Sequence, residues 1–242
     1  MTGEDRKTPA PAPGTTPAEQ SSAHDIKSFL SQVKALGPAG NGASGRLIFA
    51  LDATLSRQPT WDMACGLQAD MFKEAGSVGG LAMRLIYYRG FNECKATGWI
   101  TDTAKLAALM GRIACVGGNT QIEKVLTDAR REASASGVRA LVFVGDAMEE
   151  NVDALCARAG ELGLLKVPCF MFQEGHDAEA ERAFREIARL TGGAWCRFDP
   201  GSAAQLRELL RAAAAYAAGG REALKRLSQG SKGATLLLGQ MR

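Results

Sequence analysis

Histidine is nearly absent from this chain of 242 residues: only His24 and His176 occur. Both are too isolated for a histidine metal pair or a catalytic triad, and no Cys–His pairing supports a cysteine nucleophile. His176 falls in the polar stretch QEGHD after an apolar run, where surface exposure is expected. No CxxC pair occurs either. The six cysteines, at positions 65, 94, 115, 156, 169 and 196, sit mostly inside apolar patterns such as RIACVGG and VPCFMF. They read as buried free thiols in a reducing compartment rather than as a disulfide framework. Long apolar runs are missing too. No run approaches the roughly 18 residues of a spanning helix. The N-terminal stretch MTGEDRKTPAPAPGTTPAEQSS lacks the apolar region of a secretory signal. The expectation is a soluble, cytoplasmic protein without a membrane partner. Charge is nearly balanced, with 29 Lys and Arg against 26 Asp and Glu, and a net charge of +3 is too weak to argue for nucleic acid. No internal repeat is evident.

What is there is globular composition, 46% hydrophobic and 23% charged, in a chain long enough to bury a full core. Residues 1–45 read as a tail: a disordered stretch over 1–22, a short helix carrying Ile26, Phe29, Leu30 and Val33, and the linker GPAGNGASG. One domain is expected over 46–217. Residues 218–242 form a basic segment, with Arg221, Lys225, Arg226, Lys232 and Arg242 against Glu222. It reads first as a solvated tail. The apolar stretch ATLLLGQM offers a second reading, a segment docked on its own domain or on another protein.

Within the domain, apolar runs alternate with stretches of helical periodicity. Strands are expected at 46–52, 81–88, 93–100, 138–146, 166–172 and 194–198. Helices are expected at 60–75, 102–112, 119–135, 149–162, 177–191 and 202–217. The tight connection RGFN makes the third strand an antiparallel neighbour of the second, at an edge. The remainder implies an α/β fold, a doubly wound, Rossmann-like, mostly parallel six-stranded sheet with helices on both faces. GSVGG (76–80) is not a phosphate loop, because no Lys-Ser/Thr follows it and a strand does.

Ligands of such sheets gather outside the carboxyl ends of the strands, near the switch in strand order. There the first strand ends in Asp52-Ala53-Thr54-Leu55-Ser56, the fourth in Gly145-Asp146, and CVGGNT brings Thr120 to a helix start. Two carboxylates and three hydroxyls can meet at one rim. Hard oxygens of this kind suit Mg²⁺. Taken alone, the first stretch is also compatible with a capped turn into the next helix.

The order of parts, apolar strand–D-x-[S/T]-x-S, then a glycine-rich Thr, then G-D after a later strand, resembles the von Willebrand factor type A (vWA) domain over about residues 46–217. The resemblance implies a doubly wound sheet with one antiparallel edge strand. It also implies a metal-ion-dependent adhesion site (MIDAS) for Mg²⁺ or Mn²⁺, formed by Asp52, Thr54, Ser56, Thr120 and Asp146. The expected function is non-catalytic protein–protein interaction, the metal engaging an Asp or Glu of the partner. Thr54 stands where the family usually has Ser, which keeps the oxygen and adds a methyl.

Two alternatives stand beside it. A haloacid-dehalogenase-like phosphotransferase would use Asp52 as nucleophile and VFVGDAMEEN as its later acidic motif, with Glu149 and Glu150 as spare carboxylates. Thr54 then occupies the place of its general acid. Otherwise Glu149 and Glu150 are first-turn acids favoured by the dipole of the following helix. The other alternative is a metal-free scaffold. Partner anchors are sought in Arg57, Arg89 and Phe91. Arg57 lies beside the metal position, where it either attracts an acidic partner or is a solvated loop residue. Arg89 and Phe91 lie in YYRGFNECKATGW, whose aromatics serve either packing or a partner surface.

Overall fold

The computed structural model describes residues 45–58, 66, 81–199 and 202–241. The expected N-terminal helix, the helix expected over 60–75 apart from Gly66, Cys65 and the GSVGG connector lie outside the described residues.

Six strands form one sheet in the order β3-β2-β1-β4-β5-β6. They are β1 (Gly45–Asp52), β2 (Leu81–Arg89), β3 (Glu93–Ala96), β4 (Ala140–Gly145), β5 (Cys169–Glu174) and β6 (Ala194–Phe198). All neighbours are parallel except β3, which pairs antiparallel with β2. The chain builds outward from β1 in one direction, then returns to lay β4 on its other side. The switch in strand order therefore falls between β1 and β4.

β1 is buried on both faces, which explains its unbroken apolar run. Strand alternation sends Leu47, Phe49 and Leu51 to one core and Ile48 and Ala50 to the other. The first core is closed by α1 (Thr103–Met110), α5 (Ala203–Leu227) and α6 (Lys232–Gln240), through Leu106, Met110, Leu206, Leu210, Leu224 and Leu237. The second is closed by α2 (Ile122–Ser136), α3 (Val152–Leu164) and α4 (Ala178–Thr191), through Val125, Leu126, Leu155, Leu162, Phe184 and Ile187. Helix starts follow local chemistry. Asp102, Asn151, Asp177 and Ser231 each accept hydrogen bonds from backbone N–H groups of the first turn.

The third strand is shorter than expected. Pairing stops at Ala96, and only a bridge between Met83 and Ile100 continues it. The residues after 217 do not trail into solvent. α5 runs on to Leu227 through a kink at Gly220, whose φ of 67° is open to glycine without a side-chain clash. α6 then folds back onto α5 so closely that a Cβ on Gly233 would stand 2.7 Å from the Glu208 carbonyl oxygen. Of the two readings of this segment, the structure holds the one in which it docks on its own domain. At the outer edge of β6, the Gln240 side chain takes the place of a neighbouring strand. The Trp195 N–H donates to its Oε1 at 3.0 Å, and its Nε2 donates to the Trp195 carbonyl at 2.8 Å.

Candidate functional site

The loops after β1 and β4, and the loop entering α2, meet at the carboxyl end of the sheet beside the switch in strand order. Backbone hydrogen bonds tie them together. The Val116 N–H donates to the Ala53 carbonyl at 3.1 Å, and the Gly90 N–H donates to the Val116 carbonyl at 3.3 Å. The Gln121 side chain donates to the Gly90 carbonyl at 3.2 Å. Gly118 lies against Gly90 with no room for a side chain, since a Cβ there would stand 2.0 Å from the Gly90 carbonyl oxygen. The loop can make this approach only with glycine at 118. Thus α2 begins at Ile122, three residues later than its periodicity suggests.

Asp52 ends β1 with 0% exposure. Its Oδ1 accepts from the Thr54 N–H at 2.7 Å, and its Oδ2 accepts from the Tyr88 hydroxyl at 3.0 Å. The Thr54 and Ser56 hydroxyls lie 3.0 Å apart, brought together by a single 3-10 turn over Leu55–Arg57 rather than by extended backbone. Thr54 is buried and Ser56 is exposed. Thr120 is fastened to the loop of Asp146 by a reciprocal pair. Its N–H donates to Glu149 Oε2 at 3.2 Å, and its hydroxyl accepts from the Glu149 N–H at 3.0 Å. Asp146 Oδ1 is buried and has no hydrogen-bond partner. Asp146 is close enough to Asp52 to raise its pKa. Burial is the first cause of that rise, to about 6, with hydrogen bonds from Thr54 and the charge of Arg57 opposing it. Tyr88, wholly buried against this carboxyl, is pushed well above its ordinary value.

Asp52, Thr54 and Ser56 are thus in direct contact, Asp146 is electrostatically coupled to them, and Thr120 is held to the Asp146 loop. Among the described residues no group of three or more His, Cys, Asp or Glu side chains could hold a metal ion. A cation here would depend on the hydroxyls. The donor set fits a hard divalent cation: three hydroxyls and two carboxylates, one of which keeps a buried oxygen with no hydrogen bond.

Arg57 differs from expectation. It is neither solvated nor facing a partner, but 1% exposed, with its Nε 2.9 Å from Glu174 Oε2 at the end of β5. A guanidinium leaves water only when paired, and Glu174 supplies the pair. Arg89 is half-buried and engaged internally, its Nη1 donating to the Ala114 carbonyl at 2.9 Å and its Nε 3.1 Å from Glu93 Oε2. Phe91, at the tip of the β2–β3 turn, is 80% exposed.

Tyr88 belongs to the site and escapes a sequence reading, and Glu149 and Glu150 belong to it in a role different from either one expected of them. Glu150 does answer a helix dipole, but that of α2 rather than α3, while Glu149 holds Thr120 just ahead of that helix. Glu150 accepts from the Ile122 N–H at 2.5 Å and the Glu123 N–H at 2.8 Å. The acidic pair EE was the available signal. The helix it caps was not, because α2 precedes it in sequence.

No family model and no curated protein matches the chain. Solved structures do. The proximal thread matrix protein 1 of the mussel byssus, with a zinc-occupied MIDAS motif, aligns with a TM-score of 0.59 at 13% identity, over 71% of this chain and 46% of that one. An aerotolerance-related membrane protein from Bacteroides fragilis aligns with a TM-score of 0.54 at 17% identity, over 70% of this chain and 96% of that one. The ArnB paralog VWA2 from Sulfolobus acidocaldarius aligns with a TM-score of 0.50 at 13% identity, over 72% and 46%. This chain therefore spans about half the length of two of these three structures. The fold is that of the vWA domains: a doubly wound sheet with one antiparallel edge strand. Among the described residues no helix is long and apolar enough to cross a membrane.

Proposed function

We propose that this protein is a metal-ion-dependent interaction module. Asp52, Thr54, Ser56, Thr120 and Asp146 hold Mg²⁺ or Mn²⁺, and the ion engages an Asp or Glu side chain of a protein partner. The single observation that carries this reading is the pair Asp52 and Asp146. Two acidic groups stand close together at a buried rim, amid hydroxyls, and one carboxylate oxygen has no hydrogen bond. Like charges so placed favour a cation between them. Two carboxylates neutralise the ion formally and hydroxyls add no charge, so the ion keeps its attraction for a third carboxylate. The bound metal would supply that attraction and nothing more.

The hydrogen bonds at the site orient its ligands rather than a nucleophile and a proton donor. Tyr88 and the Thr54 N–H fix the Asp52 carboxylate. Glu149 fixes Thr120. Thr54 cannot protonate a leaving group as a carboxylic acid would. This disfavours phosphoryl transfer by Asp52. A cytoplasmic setting belongs to the same proposal and rests on the cysteine pattern.

Calorimetric titration of the full chain with Mn²⁺ and Mg²⁺ tests the reading. Wild type is expected to bind one ion and Asp52→Ala to bind none, while circular dichroism shows the variant folded. Absence of binding by wild type at millimolar metal overturns it. Hydrolysis of p-nitrophenyl phosphate abolished by Asp52→Asn would overturn the non-catalytic part alone.

A further inference from the structure

Large apolar side chains stand exposed beside the hydroxyl cluster. Leu55 is 56% exposed, Phe91 80% and Val116 42%. They come from three different loops, after β1, between β2 and β3, and before α2. The same backbone bonds that assemble the site bring these loops together: Val116 N–H to the Ala53 carbonyl, and Gly90 N–H to the Val116 carbonyl. A Cβ on Gly117 would already touch the Leu55 side chain, at 4.0 Å. Leu55 lies between Thr54 and Ser56 in the chain, so the apolar rim is continuous with the polar cluster. The loops are held by their own hydrogen bonds, so little ordering would be lost on binding.

We propose that Leu55, Phe91 and Val116 form the apolar half of a docking surface whose polar half is the Asp52 cluster. The occupant is a protein segment that carries an Asp or Glu directly beside bulky apolar side chains. This rests on the metal-dependent reading above, since the ion supplies the charge complementary to the carboxylate. The rim selects among carboxylates. An acidic residue flanked by small polar side chains satisfies the ion but leaves the rim wet. One flanked by Phe or Leu also removes the rim from water, which strengthens binding by roughly tenfold for each side chain well buried.

Three fluorescent peptides, Gly-Phe-Glu-Leu-Gly, Gly-Ser-Glu-Ser-Gly and Gly-Phe-Gln-Leu-Gly with blocked ends, test it against the full chain in saturating Mn²⁺. The first is expected to bind at least about tenfold tighter than the second, and the third to show no Mn²⁺ dependence. The preference is expected to vanish in the double variant Phe91→Ser/Val116→Ser, which replaces no proposed metal ligand and no chain neighbour of one and whose Mn²⁺ affinity by calorimetry stays that of wild type. Equal binding of the first two peptides, or no binding of either, overturns the inference while calorimetric Mn²⁺ binding keeps the metal reading intact. A preference that persists in the double variant also overturns it. Failure of wild type to bind Mn²⁺ overturns the metal reading and, with it, this one.

Discussion

Two nearly inaccessible charged groups on neighbouring strands are treated in opposite ways. Arg84 on β2, 9% exposed, is surrounded by its complements. Its Nε and Nη2 donate to the two oxygens of Asp128 at 3.0 and 3.2 Å, Glu132 lies 3.6 Å away, and Thr97 offers its carbonyl. Glu132 in turn accepts from the Trp99 indole N–H at 3.0 Å. Asp52 on β1, 0% exposed, has no ion pair of its own: Asp146 is a like-charged neighbour, and the charge of Arg57 offsets it only in part, Arg57 being paired with Glu174. The first cluster is complete within the chain and serves to fasten α2 to the sheet. The second is costly within the chain and gains if something cationic arrives. Buried charge with opposite charge is architecture; buried charge with like charge is a candidate for use.

Breaking the first cluster should be the larger perturbation. Arg84→Met leaves Asp128 and Glu132 without their main cation at a largely buried position, and is expected to cost about 3 kcal/mol in urea-induced unfolding, with or without Mn²⁺. The pH dependence of the second cluster comes next. The folded Asp52 pKa, about 6, lies above its ordinary 3.8, so the folded state binds this proton more tightly than the unfolded state. The stability it contributes is therefore complete below about pH 4 and is lost as pH rises through about 6, by about 3 kcal/mol. The difference in unfolding free energy between metal-free wild type and Asp52→Asn should follow that curve. A flat difference between pH 4 and 7 would show that burial beside Asp146 does not burden the Asp52 carboxylate. The smallest effect has the opposite sign to the first. Asp146→Asn relieves the like charges and should leave the metal-free protein as stable or up to about 1 kcal/mol more stable. Stabilisation by Mn²⁺, seen as a shift in thermal midpoint, should disappear in it.

The same contrast explains what the sequence conveyed. β1, β2 and β4 are buried on both faces, so their apolar runs stand out, and RGFN announced the reversal into β3. Asp52, Thr54 and Ser56 are local to one turn and legible as a pattern. Tyr88 reaches Asp52 across 36 residues of chain and Glu149 reaches Thr120 across 29, so no spacing rule announces either. The burial of Arg57 is not legible in the sequence because it depends on Glu174, which only the finished sheet brings beside it. α5 runs past the expected end at residue 217, where the basic residues of the following segment obscure its apolar positions. The chain kinks at Gly220, and Leu224 and Leu237 continue the apolar core.

The Gln240 side chain on β6 limits how this domain can associate. A bare edge strand invites another chain to add on, and repeated addition produces fibrous aggregates. Here one amide fills the outward N–H and carbonyl of Trp195, and the helix bearing it blocks the approach. At the opposite edge, β3 has only four residues, with the exposed Lys95 among them. Neither border favours sheet-to-sheet growth.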